Sequence, residues 1–178
     1  PEIDMPGHFY AALQALPELR DPNEKGEYQS VQGFPNNSLN PAHEAVYRFV
    51  ETIVDEVLEL FPAGVFHLGA DEVPLAAWSG SPLALDMIEQ MAGPAMRKKH
   101  EAQFNQLGNA HGADEIEGSP TAIIQAEFIK RVHKYIASKG AITGGWEEAA
   151  HGDAVAKDKS YVIGWRNVEI NAELAERG

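Results

Sequence analysis

The chain has 178 residues, 44% apolar and 23% charged, the proportions of a globular domain with a real core rather than a disordered segment. Its 27 acidic against 14 basic side chains give a net charge of −13, and its densest basic run is Arg97-Lys98-Lys99, so nucleic acid and anionic membrane surfaces are poor partners. There is no cysteine, which excludes disulfides and thiolate metal sites, and no apolar run of membrane-spanning length.

The chain opens at Pro1, inside PEIDMPGH (1–8), without a charged-then-apolar leader; it reads as a segment of a longer reading frame and leaves cellular location open. PEIDMPGH shares a pattern with GVFHLGADE (64–72), AITGGWEE (141–148) and SYVIGWRN (160–167). Each runs an extended apolar stretch into a Gly and then a polar or aromatic residue. Between the first two, the spacing of Val46, Phe49, Val50, Ile53, Val57, Leu60 and Phe61 predicts a helix from Pro41 to about Leu60. Asn40-Pro41 suits its start and Pro62 its end.

Residues 79–120 break the rhythm. SGSP, AGP and NQLGNAHGADEIEGSP surround one short predicted helix over 83–92, so this part reads as an elaborated loop. A second long helix is predicted over Thr121 to Ser138, striped by Ile124, Phe128, Val132, Tyr135 and Ile136, and a third from Val168 onward. Strands alternating with helices imply an α/β fold of parallel β-α units with right-handed crossovers, here one domain over 1–178. In such folds chemistry gathers at the carboxyl ends of strands.

The stretch FHLGADEVP places two acids, Asp71 and Glu72, at such an end. On a regular strand one of them would be driven into an apolar layer, where an unpaired charge is very costly. The strand therefore stops near Gly69, or both acids share a polar cavity. Paired carboxyls suit proton transfer: one charge raises its neighbour's pKa, giving an acid beside an anion. Two exposed acids at a helix N-terminus are the plainer reading of any Asp-Glu pair. Trp146 and Trp165, at the next strand ends, would supply the flat walls that sugar rings favour, with core packing as the competing role.

HLGADEVP resembles the H-x-G-[GA]-D-E signature of glycoside hydrolase family 20, the β-N-acetylhexosaminidases, most like bacterial chitobiases. PEIDMPGH, LNPAHEAVYRFVETIVDEVLELFP, GGWEE and YVIGWRN resemble other family segments in the family's order. The resemblance implies an incomplete (β/α)8 TIM barrel with about four of eight strands, roughly the third to the sixth. It implies removal of terminal β-linked N-acetylglucosamine or N-acetylgalactosamine with retention. The substrate's own acetamido oxygen would attack the anomeric carbon to give an oxazolinium, without a protein nucleophile or any cofactor or metal.

By the same resemblance Glu72 is the general acid and later the base, and Asp71 orients the acetamido group. Trp146 walls the acetamido pocket and Trp165 the sugar. His8 tunes the acid or merely closes a Pro-Gly turn, His67 supports the strand end, and Trp78 sits at the rim. Of Glu147 and Glu148, at least one reads as an ordinary helix-start acid, and His43, His100, His111, His133 and His151 read as surface residues. Met87, Met91 and Met96 suit core or loop packing.

Ala70 stands where glycine is commoner, a small burden. A full barrel takes about 250 residues, so four strands would leave open edges, a wetted inner face and little turnover. Two other readings stand beside the enzyme: a non-catalytic sugar-binding or structural half-barrel, and a metal hydrolase using His67, Asp71 and Glu72. The expected partner is an N-acetylhexosamine oligosaccharide, with no nucleic acid and no membrane insertion. A periplasmic or outer-membrane location is an analogy with bacterial relatives.

Overall fold

The computed structural model describes residues 1–104 and 118–177. Three parallel strands, β1 (Val65–His67), β2 (Ile142–Trp146) and β3 (Ser160–Ile163), lie side by side in that order. The register sets His67 beside Gly144 and Gly144 beside Tyr161. The expected first strand is only partly realised. Ile3 and Met5 N–H donate to the His67 and Leu68 carbonyls at 3.0 and 2.9 Å, but a single parallel bridge, Glu2 to His67, is all that pairs as strand. His8, at φ +58, then turns the chain away.

The described residues carry six helices beside this sheet: α1 (Tyr10–Ala15), α2 (Glu44–Leu60), α3 (Pro82–Ala92), α4 (Pro94–Glu101), α5 (Pro120–Ser138) and α6 (Val168–Arg177). Helix α2 begins at Glu44 rather than Pro41, because the Asn40 side chain accepts from Ala42 N–H and closes a separate turn. His43 Nδ1 then caps the helix through Ala45 N–H. Ser81 and Ser119 cap α3 and α5 by accepting from Ala84 and Ala122 N–H, with a proline opening each helix.

In its described residues, the segment read as one elaborated loop carries two helices, not one. The AGP break is only a joint between α3 and α4, at Gly93 with φ +85. Arg97, Lys98 and Lys99 lie on α4, as a solvated basic run would. His111 lies outside the described residues. Helix α1 was missed because its 6 residues, among which only Leu13 is buried, are too few to establish a period.

Helices α2 and α5 pack on β1 and β2 respectively and against each other. They cover the sheet face that carries Phe66 and Thr143, which are 0% and 1% exposed. Val46, Val50 and Val54 of α2 meet Phe128, Val132 and Ile136 of α5 in this core, joined by Met5, Phe9 and Leu13. A second cluster, with Trp78 at its centre and Val73, Ala84, Ile88 and Ile124 around it, binds the segment after β1 to α3 and α5. The α2 stripe runs out before its end: Leu60 and Phe61 are 73% and 50% exposed.

The opposite sheet face is open. Side chains alternate along a strand, so Ile142, Tyr161 and Ile163 share the face of His67 and are 42%, 39% and 43% exposed. Truncating the buried Phe128 to alanine should cost about 3–5 kcal/mol. Leu60→Ala should stay within about 0.5 kcal/mol of the parent. Denaturant midpoints with unchanged slopes are the readout.

Candidate active site

The backbone settles why two adjacent acids can face the same way. Leu68 N–H still donates to the Gly144 carbonyl at 2.9 Å, in ladder fashion, but Gly69, Ala70 and Glu72 then take φ of +73, +84 and +54. The pleat is abandoned where the acids begin. The turn is held by its carbonyls: Gly69 accepts from Trp146 N–H at 2.8 Å, and Ala70 accepts from Gln125 Nε2 of α5 at 2.6 Å. Only glycine fits at 69, since a Cβ there would fall on the Asp4 carboxyl and 2.8 Å from Asp4 Cα. Ala70 is more than the small burden expected. A buried alanine at that φ holds strain on the order of 1 kcal/mol.

Asp71 and Glu72 thereby converge on one imidazole. His8 Nε2 lies 3.6 Å from Asp71 Oδ2, 3.7 Å from Glu72 Oε2 and 3.7 Å from Asp4 Oδ2. The hydrogen bond to Asp71 lifts the His8 pKa above its usual value; burial opposes this, and the charges of Asp71 and Glu72 add to it. Burial pushes the Asp71 carboxyl up, but hydrogen bonds from His8 and Asp4 outweigh it and hold Asp71 below the usual range. Glu72 Oε2 accepts from Gln32 Nε2 at 2.5 Å.

Two of these groups were missed from sequence. Asp4 reads as one more acid on a strand; the signal that could have found it is its place in PEIDMPGH, next to the strand end that carries Asp71. Gln32 sits on a turn closed by Ser30 N–H to the Phe34 carbonyl at 3.0 Å, forty residues before its partner in the chain, with no local pattern to mark it.

The other predicted residues form two neighbouring groups. His67 is buried, and its Nδ1 lies 3.3 Å from Glu2 Oε1; the Trp146 indole donates to that same oxygen at 2.9 Å, and the two rings meet edge-on at 5.0 Å. Burial holds His67 below its usual pKa despite Glu2. Trp165 is 46% exposed; its backbone N–H donates to Glu147 Oε2 at 3.0 Å and its indole to Glu148 Oε2 at 3.3 Å. Glu147 also pairs with the Arg166 guanidinium. Both glutamates are buried, so neither is an ordinary helix-start acid. Each instead ties the segment after β2 to the one after β3.

Three further expectations are corrected. Trp78 is fully buried in the second core cluster and is no rim residue. His100 and His133 are buried rather than on the surface, with His100 Nδ1 2.9 Å from Gln103 Oε1 and His133 Nδ1 2.8 Å from Thr143 Oγ1. The donor trio imagined for a metal does not assemble among the described residues. His67 turns to Glu2 and Trp146, and the close trio is Asp4, His8 and Asp71, whose ligand atoms lie within 4.8 Å of one another.

Gly69→Ala should destabilise the chain by more than about 2 kcal/mol, since it adds left-handed strain to a clash with Asp4. Ala70→Gly should stay within about 1 kcal/mol of the parent, relieved strain offsetting the added freedom of the unfolded chain. Thermal and denaturant unfolding of the two variants checks the contrast.

Comparison with known proteins identifies the family. The description "Glycosyl hydrolase family 20, catalytic domain" matches residues 1–178. A beta-hexosaminidase of Vibrio furnissii is 34% identical over 179 residues, covering 100% of this chain and 25% of its own length. The crystal structure of a GH20 exo-β-N-acetylglucosaminidase from Vibrio harveyi, in complex with N-acetylglucosamine, superposes with a TM-score of 0.78 at 31% identity. It covers 100% of this chain and 24% of that one. The Flavobacterium johnsoniae chitobiase superposes with a TM-score of 0.66 at 25% identity, again over 100% of this chain and 24% of the other. The chain thus spans about a quarter of the length of these relatives, and it belongs to glycosyl hydrolase family 20.

Proposed function

We propose that the chain is part of a retaining β-N-acetylhexosaminidase that uses the substrate's acetamido group as nucleophile. The carrying observation is the convergence of Asp71 and Glu72 on His8 just past the end of β1. Support for the substrate class comes from the relatives: the Vibrio furnissii protein is a beta-hexosaminidase, and the Vibrio harveyi structure holds N-acetylglucosamine.

In this reading the acetamido oxygen attacks the anomeric carbon and the bond to the leaving oxygen breaks. Positive charge then develops on the acetamide nitrogen. A lowered-pKa carboxylate such as Asp71 is suited to accept that N–H and to balance the growing charge. Glu72 gives its proton to the leaving oxygen and afterwards takes one from water that opens the oxazolinium. Gln32, donating to Glu72, holds that carboxyl in place. Trp146, anchored through Glu2, walls the acetamido side, and the half-exposed Trp165 offers a face to the sugar.

We further propose that the N-terminal segment and β1 to β3 correspond to roughly the third to sixth strands of an eight-stranded barrel. The open sheet face with Ile142, Tyr161 and Ile163 supports this, since such a face expects partners across a lumen. It also supports the alternative, a half-barrel without turnover, as the state of the 178-residue chain by itself.

That chain should hydrolyse a chromogenic β-N-acetylglucosaminide no faster than buffer does. Robust turnover abolished by Glu72→Gln would refute the inactivity while upholding the role. In any longer polypeptide that turns over, Glu72→Gln should lower kcat/KM, which reports the steps through departure of the leaving group, by about 10²–10⁴-fold for sugar leaving groups and far less for activated aryl ones. Equal losses for both would remove Glu72 from the acid role.

A further inference from the structure

Two carboxyls meet beneath His8 without a basic group between them. Asp4 Oδ1 accepts from Ala70 N–H at 3.1 Å, its side chain lies over Gly69 and is 23% exposed. Asp4 and Asp71 lie side by side, with one oxygen of each within 4.8 Å of His8 Nε2 and of the other. Ionised carboxylates only accept hydrogen bonds, so a bond between two of them requires a proton on one. Asp71 Oδ1 is buried and receives no N–H or hydroxyl donor among the described residues, which leaves it an orphaned acceptor unless a protonated carboxyl serves it.

The surroundings decide which partner holds the proton. The groups facing Asp4 are Glu2 on its own segment, His8 in the turn after it, and Asp71 and Glu72 beyond β1; His67 of β1 is engaged by Glu2. His8 Nε2 lies 3.6 Å from Asp71 and 3.7 Å from Asp4, and Asp71 is the first cause of its raised pKa. Asp4 has a backbone N–H, the shared imidazole at 3.7 Å and two acidic neighbours, Asp71 and Glu2.

We propose that Asp4 carries the single proton of an Asp4–Asp71 pair and, as a neutral donor, holds Asp71 anionic and in place. Burial first, then the hydrogen bond and charge of Asp71, raise the Asp4 pKa to about 9, so the proton stays at neutral pH. Resting on the reading of Asp71 as acceptor of the acetamide N–H, this makes Asp4 a positioning residue. It fixes the direction of the carboxylate without touching sugar. Loss of its proton at alkaline pH would set two anions side by side.

The test needs no turnover, so it succeeds or fails independently of the glycosidase reading. In the 178-residue chain labelled with carbon-13 at the aspartate carboxyls, one resonance should titrate with a midpoint near 9 and be absent from Asp4→Asn. In Asp71→Asn, which leaves Asp4 present, that midpoint should fall by ~1 pH unit or more. Stability supplies a second readout. The folded pKa of Asp4 lies above its unfolded value of 3.8, so the unfolded chain loses this proton first, and stability is lost as pH rises from 3.8 through about 9. Asp4→Asn keeps a donor that cannot ionise, so its stability should gain on that of the parent across this window. All aspartate midpoints below about 5, or parent and Asp4→Asn stabilities that run parallel with pH, would overturn the proposal.

Discussion

Adjacent side chains on a strand point apart, and everything at this site depends on how the backbone escapes that rule between Gly69 and Glu72. Positive φ at Gly69, Ala70 and Glu72 rotates both acids toward His8, and the strain is met by fixed partners. Trp146 N–H and the Gln125 amide hold the carbonyls of the turn, while the Asp4 carboxyl occupies the space that a Cβ at residue 69 would need. The turn therefore ties three parts of the chain together: the N-terminal segment, β2 and α5. A change in any of them is felt at the carboxylates, because the turn has no slack to absorb it.

Charge organises the same place. Glu2, Asp4, Asp71 and Glu72 crowd around two imidazoles in a chain already carrying −13. Such crowding persists when groups differ in protonation, and the environments here push them apart. His8 is driven toward its cation, Asp71 toward its anion and Asp4 toward its neutral acid, each by the state of the others. His67 goes the opposite way to His8, because burial dominates there.

The long helices were legible because their apolar periods run over several turns: Phe128, Val132 and Ile136 in α5 are buried where the spacing put them. The strand ends were legible because a Gly and a polar residue follow each apolar stretch. What stayed hidden was non-local. Nothing in the local sequence joins Gln32 to Glu72, or Glu147 to Arg166, and a six-residue helix such as α1 carries too little period to see. Composition misled at Trp78, His100 and His133, since an amphipathic ring is equally at home at a rim or in a core, and tertiary packing chose the core. The open face of Ile142, Tyr161 and Ile163 was foreseen only because parallel strands that do not close leave one face without a cover.

The convergence of both acids on one imidazole is tested most directly by the His8 ring, followed by NMR against pH in the parent, Asp71→Asn and Glu72→Gln chains. The parent midpoint should lie above 6.5; it should fall in both variants, and further in Asp71→Asn, whose lost hydrogen bond is the larger cause. A parent midpoint at or below 6.5, or one that Glu72→Gln leaves unmoved, would mean the acids do not share the hollow.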